Sequence, residues 1–373
     1  MKKIIYFAFS EYYEAKHAGF THALNITKSM TKKDIHVDLF FKYNKTGIIS
    51  EDKKLIIHGV QLPDIKTLFK LKLITWYKSY NYIKNITKNS QLIYERFHIN
   101  PIDLLFINKK PYILEINDPT FLLYNGIKKM FYKKIVMKKI KRCSIIITQT
   151  NTLKFILKKF TDKKIYVIPN GVDTKKFNPE IKSDVRKKYN IGEFPLITFV
   201  GAFMQWHGVD SIIKIAEDIP EAKFLLVGDG PLYQEIKERT KNVRNIIIIG
   251  AVNNNNIPGF LACSDVLIAP FNTKRFNKLQ DYGFWWCPVK LFEYMASGRP
   301  IVSYDFSEVK NIVKDSAILA KQGSLNDFIN CIKLLLADKN KRENLGRKAR
   351  KISLGYTWDK RGEDIIKIIG KLI

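Results

Sequence analysis

Acidic residues are scarce in this chain. Its 373 residues hold 35 Asp and Glu against 64 Lys and Arg, which gives a formal net charge of +29. Cysteine is scarce as well. Cys143, Cys263, Cys287 and Cys331 are widely scattered and have no metal-ligand spacing. That argues against a disulfide framework or a cysteine-held metal, and it fits a reducing cytoplasm. No apolar run approaches the roughly 20 residues needed to span a bilayer. The opening stretch, MKKIIYFAFSEYYE, lacks a small-residue cleavage site and reads as a first strand, not a signal peptide. There is no internal repeat, no low-complexity tract and no Asp-x-Asp pair, so metal dependence is not expected. What is left, 46% hydrophobic and 27% charged, describes a soluble globular protein long enough for two domains.

So large a positive charge implies anionic partners or a compositional bias. Lys, Ile and Asn are all abundant, as an AT-rich genome would produce. The functional reading is attraction to nucleotide phosphates or to anionic lipid headgroups. Nucleic acid is not an expected partner, because no nucleic-acid motif is present and the basic residues are spread along the chain.

The densest run of pattern is CPVKLFEYMASGRPIVS, from Cys287 to Ser303. Leu291, Phe292 and Met295 fall at helical spacing, and Pro288 suits the first turn. Ser297-Gly298 closes the helix, Pro300 keeps it from resuming, and Ile301-Val302-Ser303 begins a buried strand. The open end of such a helix carries unpaired N–H groups and a partial positive charge, which suits a diphosphate. Lys290 and Glu293 lie three residues apart on a similar face. An exposed ion pair and a site with a cation at phosphate and a carboxylate at ribose are both compatible with that spacing.

This run resembles the signature of the large retaining glycosyltransferase family four, of GT-B fold. The resemblance extends to Ile168-Pro169-Asn170-Gly171-Val172-Asp173, to Val227-Gly228-Asp229-Gly230-Pro231 and to Tyr356-Thr357-Trp358. It implies an α/β protein of two Rossmann-like domains facing a central cleft. The acceptor domain is expected over residues 1–170, a hinge over 171–190 and the nucleotide-sugar domain over 191–355. A terminal helix over 356–373 is expected to cross back to the first domain. By the same resemblance Glu293 holds the nucleotide ribose, and Lys290 takes part in the donor contact. The chain departs from the family pattern in three places. Trp285 stands where most members have a second Glu, Ala202 where they have Arg, and His207-Gly208 where they have Lys-Gly.

Read in order, Ile4 to Phe9 is a strand buried on both faces, followed by a loop with His17 and Gly19 and a helix from about Phe20 to Met30 that carries His22. Val37 to Phe41 is the next strand. The Lys- and aromatic-rich stretch from Ile65 to Asn89 reads as a helix. Strands ending at Arg96 and at Glu115-Ile116-Asn117 place polar groups at the carboxyl edge of the sheet, where ligands bind in such folds. Arg96 is the expected partner of a buried Glu115. Ile127, Met130, Phe131, Ile135, Val136 and Ile140 recur at helical spacing among lysines, which predicts a helix packed on the sheet, with a membrane-surface helix as the alternative. In the second half, Gly201, Gly228 and Val252 follow strands, and the long loop from Phe271 to Trp286 carries Asp281, a weak stand-in for the missing Glu.

These readings yield a set of expectations. The donor is a nucleotide sugar, bound by Gly201, Ala202, His207, Gly208, Gly228, Val252, Pro288, Val289, Lys290, Leu291 and Glu293. The acceptor, a glycan or lipid-linked hydroxyl, meets Gly19, His22, Arg96, Glu115 and Asn117. Lys290, Glu293, His22 and Asn117 are the expected catalytic set, with no cofactor. The protein is expected in the cytoplasm, with its basic first half docked on anionic membrane. A GT-B hydrolase or epimerase, or a nucleotide-sugar-binding subunit without turnover, are the competing readings.

Overall fold

A computed structural model describes residues 2–13, 18–62, 73–107, 110–274 and 282–373. The chain divides into two compact units, residues 1–170 with 358–373, and residues 171–357.

The first unit is built on an eight-stranded sheet. Its strands are β1 (Lys2–Tyr12), β2 (Ile35–Lys42), β3 (Gly47–Asp52), β4 (Leu55–Val60), β5 (Leu92–Arg96), β6 (Tyr112–Glu115), β7 (Ile145–Thr148) and β8 (Ile165–Val167). The spatial order is β3-β4-β2-β1-β5-β6-β7-β8. Every pairing is parallel except β3 with β4. Ile4 to Ala8 are wholly buried because helices cover both faces of the sheet at β1. The sequence gives no hint of β3, since this edge strand is polar and mostly exposed and its partners are backbone groups. The helix Leu73–Thr87 lies within the stretch read as helical from 65 to 89, part of which falls outside the described residues.

The helix Gly126–Arg142 does not bury one continuous apolar stripe. Ile135, Val136 and Ile140 are buried, whereas Ile127 is 81% and Met130 69% exposed, and Phe131 is exposed as well. Lys139, also on this helix, is fully buried. Its Nζ lies 2.5 Å from Glu95 Oε1 and 2.9 Å from Asp103 Oδ1, and it also donates to the His98 carbonyl at 2.8 Å. Glu95, His98 and Asp103 are the group of acidic and histidine side chains, among the described residues, close enough together for a metal ion. The Lys139 ammonium already occupies the cation's place there.

The helix Trp358–Ile369 belongs to the first unit. Ile365, Ile368, Ile369 and Trp358 join the core formed by β1, β2 and the helix Ala18–Thr31. A side chain at Gly362 would collide with Ser29 Oγ, and this close approach lets the two helices pack.

The second unit has six parallel strands, β9 (Leu196–Val200), β10 (Lys223–Val227), β11 (Ile246–Gly250), β12 (Val266–Ala269), β13 (Ile301–Tyr304) and β14 (Ala317–Ala320). Their order is β11-β10-β9-β12-β13-β14. The chain runs outward from β9 to β11 and then returns to β12 on β9's other side. The carboxyl ends of β9 and β12 therefore form the crevice where open parallel sheets bind ligands. A short helix, Val185–Lys188, interrupts the stretch read as linker.

Candidate active site

In the second unit, Gly201 directly follows β9 and the helix Val289–Ala296 opens beside it. Tyr294 fixes the spacing, since its hydroxyl accepts from Val200 N at 2.8 Å and donates to Val200 O at 3.1 Å. The cap Pro288 supplies no side-chain acceptor, and although Leu291 N–H turns back to Pro288 O at 3.2 Å, the N–H groups of Val289 and Lys290 keep the helix's positive end open. Gly201 has φ +153°, and a Cβ there would lie 2.3 Å from Lys290 Nζ. The glycine thus makes the slot that the lysine fills. Gly208 has φ +69°, and a Cβ there would lie 1.8 Å from Pro270 O, which pins the turn after β9 to the end of β12.

Lys290 is 8% exposed, and its Nζ has no hydrogen-bond partner among the described residues. It sits 4.1 Å from the Phe199 ring centroid and 5.6 Å from that of Phe271. Cation–π contact only partly replaces lost hydration. Burial therefore pulls the ammonium down to about 7, with Glu293 opposing. Glu293 mirrors it: burial pushes the carboxyl up to about 7, against Lys176 and Lys290. The ligand-free site thus holds a cation and an anion that are both poorly solvated and both titrate near neutrality.

His207 does not supply a second charge here. Its Nδ1 donates to Ala202 O at 2.6 Å, and burial together with Lys290 holds the ring at about 3. A neutral imidazole with Nδ1 committed leaves Nε2 as an acceptor. Leu291 is wholly buried and points into the core, so only its backbone faces the site. Ala202 is exposed, Val252 is half-buried just past β11, and Gly228 follows β10. Trp285 is buried against Trp286. Asp281 and His17 lie outside the described residues.

In the first unit, the carboxyl ends of β1, β5 and β6 gather a polar cluster around Glu115. Its Oε2 accepts from Tyr94 Oη at 2.6 Å and Tyr6 Oη at 3.2 Å, and its Oε1 accepts from Asn117 Nδ2 at 2.7 Å and Arg96 Nη1 at 3.4 Å. His22 Nε2 lies 2.8 Å from the same Oε1, and His22 Nδ1 donates to Asn170 Oδ1 at 2.9 Å. Burial alone would raise the Glu115 carboxyl, yet His22, Arg96 and Tyr94 hold it well below the usual carboxylate range. Glu115 is thus a saturated hub, and both His22 ring nitrogens face protein oxygens.

Sequence reasoning missed Glu11. Its Oε1 accepts from Arg96 Nε at 2.9 Å, and a Cβ on Gly19 would lie 2.3 Å from the same oxygen. A carboxylate near the end of the central strand was the available signal. Lys176, read only as part of the hinge, is a second omission. It acts on Glu293 electrostatically and donates to Asn255 Oδ1 at 3.1 Å.

Two parallel-sheet Rossmann-like units define a GT-B fold, and comparison with solved structures agrees. Sucrose-phosphate synthase from Thermosynechococcus elongatus superposes with a TM-score of 0.80 at 14% identity, over 100% of this chain and 99% of that one. Anabaena HepE in complex with UDP superposes with a TM-score of 0.73 at 15% identity, over 100% of both chains. Residues 194–338 match the family described as glycosyl transferases group 1. An uncharacterized glycosyltransferase of Methanocaldococcus jannaschii is 26% identical over 350 residues, covering 91% of this chain and 90% of that one. The second unit carries a group 1 glycosyltransferase domain, and together these findings support a transferase enzyme.

Proposed function

We propose that the protein transfers a sugar from a nucleoside diphosphate sugar to a hydroxyl of a glycan or lipid-linked acceptor, with retention of anomeric configuration, in the assembly of surface polysaccharide or glycolipid. The observation that carries this reading is the unpartnered ammonium of Lys290, held between Gly201 and the open end of the helix Val289–Ala296. A departing nucleoside diphosphate accumulates negative charge on its phosphate oxygens. Preorganised N–H groups and a buried cation stabilise that charge most where water is excluded. Glu293 anchors the ribose hydroxyls, and Val252 meets the base through its backbone. Glu11, Arg96 and Asn117 receive the acceptor, with Glu115 and His22 fixing them from behind. No metal or cofactor takes part in this reading.

UDP-linked sugars are the first donors to test, because HepE was solved with UDP. A panel of nucleotide sugars incubated with lipid-linked and free glycan acceptors should give acceptor-dependent product whose anomeric configuration matches the donor's. Donor consumption at one rate with and without acceptor would show a hydrolase instead.

Membrane docking extends the reading to the acceptor's location. Ile127, Met130 and Phe131 stand exposed on a helix whose sequence is rich in lysine, and leaving such side chains in water forgoes about 1.5–3 kcal/mol each. Liposome flotation with anionic vesicles at low salt should recover the protein, and Ile127→Asp with Met130→Asp should abolish recovery. Equal flotation of the double variant would refute docking through this helix.

A further inference from the structure

At the amino edge of the second unit's sheet, the helix Lys339–Ser353 packs on the turn that separates the helix Val289–Ala296 from β13. A Cβ on Gly346 would lie 2.2 Å from Gly298 O, so the two segments touch backbone to backbone. Beside that contact lies a cavity of about 440 Å³, with Arg299, Lys339, Arg342, Arg347 and Arg350 in its wall. The helix itself carries seven cationic residues and one carboxylate, Glu343.

The charges in this wall do not balance. Arg342 Nη1 donates to the carbonyls of Leu335 and Leu336, both at 2.7 Å. Arg350 donates to the carbonyls of Phe177, Ala296 and Thr174 at 2.9–3.0 Å. Arg299 Nη2 donates to Ala262 O, and its buried Nε has no hydrogen-bond partner among the described residues. Neutral carbonyls orient a guanidinium without neutralising it. The wall holds five cations against two carboxylates, and both carboxylates are engaged, Asp265 with Arg186 outside the wall and Glu343 with Arg347 within it. Asp265 Oδ2 accepts from Arg186 Nη2 at 2.6 Å and from Leu196 N at 2.8 Å, and Glu343 lies 3.8 Å from Arg347. Burial disfavours the charged forms of Arg299 and Arg350 and outweighs the opposing pull of Asp265 on the first and of Glu180 on the second.

We propose that this cavity is a second anion site, which binds a phosphomonoester or diphosphate group through Arg299 and the basic face of the helix Lys339–Ser353. Guanidinium forks match phosphate oxygens in pairs, and three of them are already held in place by backbone carbonyls. The site is separate from the one at Lys290. Asp265 and Pro300 directly precede β12 and β13, whereas Gly201 and Gly228 directly follow β9 and β10, so the two lie at opposite edges of one sheet. The four residues of β12 alone span roughly 13 Å. The phosphate group can belong to a free metabolite or to a lipid headgroup, and the two sources are separable.

Inorganic phosphate should be titrated calorimetrically into the wild type, into Lys290→Ala, and into a Lys339→Glu/Arg347→Glu double variant. Lys339 and Arg347 are exposed and hold no carbonyl among the described residues, and the Arg347–Glu343 pair is an exposed one at 3.8 Å, so the double variant should melt close to the wild type without phosphate. Binding should persist in Lys290→Ala and weaken at least tenfold in the double variant. Flotation with phosphatidic acid against phosphatidylserine vesicles, which are anionic but lack the phosphomonoester, gives the second arm. Loss of the phosphatidic acid preference in the double variant, without binding of free phosphate, assigns the site to a headgroup. Binding of phosphate without such a preference assigns it to a soluble anion. Phosphate affinity unchanged in the double variant, or lost only in Lys290→Ala, overturns the proposal, as does a wild type that takes neither ligand.

Discussion

Lys290→Ala should lower kcat by about 100- to 1,000-fold, the range seen when one preorganised charge-stabilising donor is removed from an active site. The folded protein should not suffer. Lowering this ammonium from its ordinary 10.5 to about 7 costs the ligand-free fold on the order of 4 kcal/mol at neutral pH. The sign follows from the direction: the penalty is full below about pH 7 and vanishes as pH rises toward the unfolded value. Deleting the amine relieves it, offset in part by the cavity left between Phe199 and Gly201. A variant that is slow yet melts no lower than the wild type marks a residue kept for chemistry. A lysine serving the fold would show normal turnover and a lower melting temperature. Turnover at the wild-type rate would remove Lys290 from the mechanism.

Glu293→Ala should weaken nucleotide-sugar binding by about 10- to 100-fold, the worth of hydrogen bonds to a charged acceptor. A proton signature should accompany binding. Ribose hydroxyls favour the ionised carboxylate, so Glu293 sheds a proton, while the diphosphate favours the ammonium and Lys290 gains one. Both groups titrate at about 7 in the free protein. Below that pH Lys290 is already charged and Glu293 is protonated, so binding should release protons. Above it the states reverse and binding should take protons up. A nucleotide sugar is the right probe, because its diphosphate is esterified at both ends and has no proton of its own to lose near neutrality. Calorimetry in buffers of different ionisation enthalpy reads the net transfer. Glu293→Ala should leave only uptake, and Lys290→Ala only release. A transfer that never changes sign with pH in the wild type would sink the paired assignment.

The sheets were legible because parallel strands covered on both faces appear as unbroken apolar runs, such as Ile4 to Ala8 and Val266 to Ala269. The helix at Lys290 was legible because Pro288 and Gly298 punctuate it, and Gly298 indeed adopts φ +67°. What stayed hidden depends on distant partners. Glu11 gains meaning only from Arg96, 85 residues away. His207 reads as a spare cation until its Nδ1 is seen to be tied to Ala202 O. The stripe from Ile127 to Ile140 looks uniform in sequence, yet its first turns are exposed and its last ones are packed. Periodicity reports which residues share a helix face, and it says nothing about where the neighbouring sheet stops. The strand Gly47–Asp52 is held mostly by ladder bonds, with Ile49 packed on the core, and ladder bonds leave no mark on side-chain pattern.

The helix Trp358–Ile369 seals a core whose other members were all translated before residue 171. On the ribosome, the leading unit must therefore wait, with one flank of its sheet uncovered, while the whole of the following unit emerges. Residues 171–357 are complete in one uninterrupted span and have no such wait. An expression clone cut after residue 170 would uncover His22 and Ser29, which pack on Trp358 and Gly362, whereas one spanning 171–357 would lose nothing from its own interior.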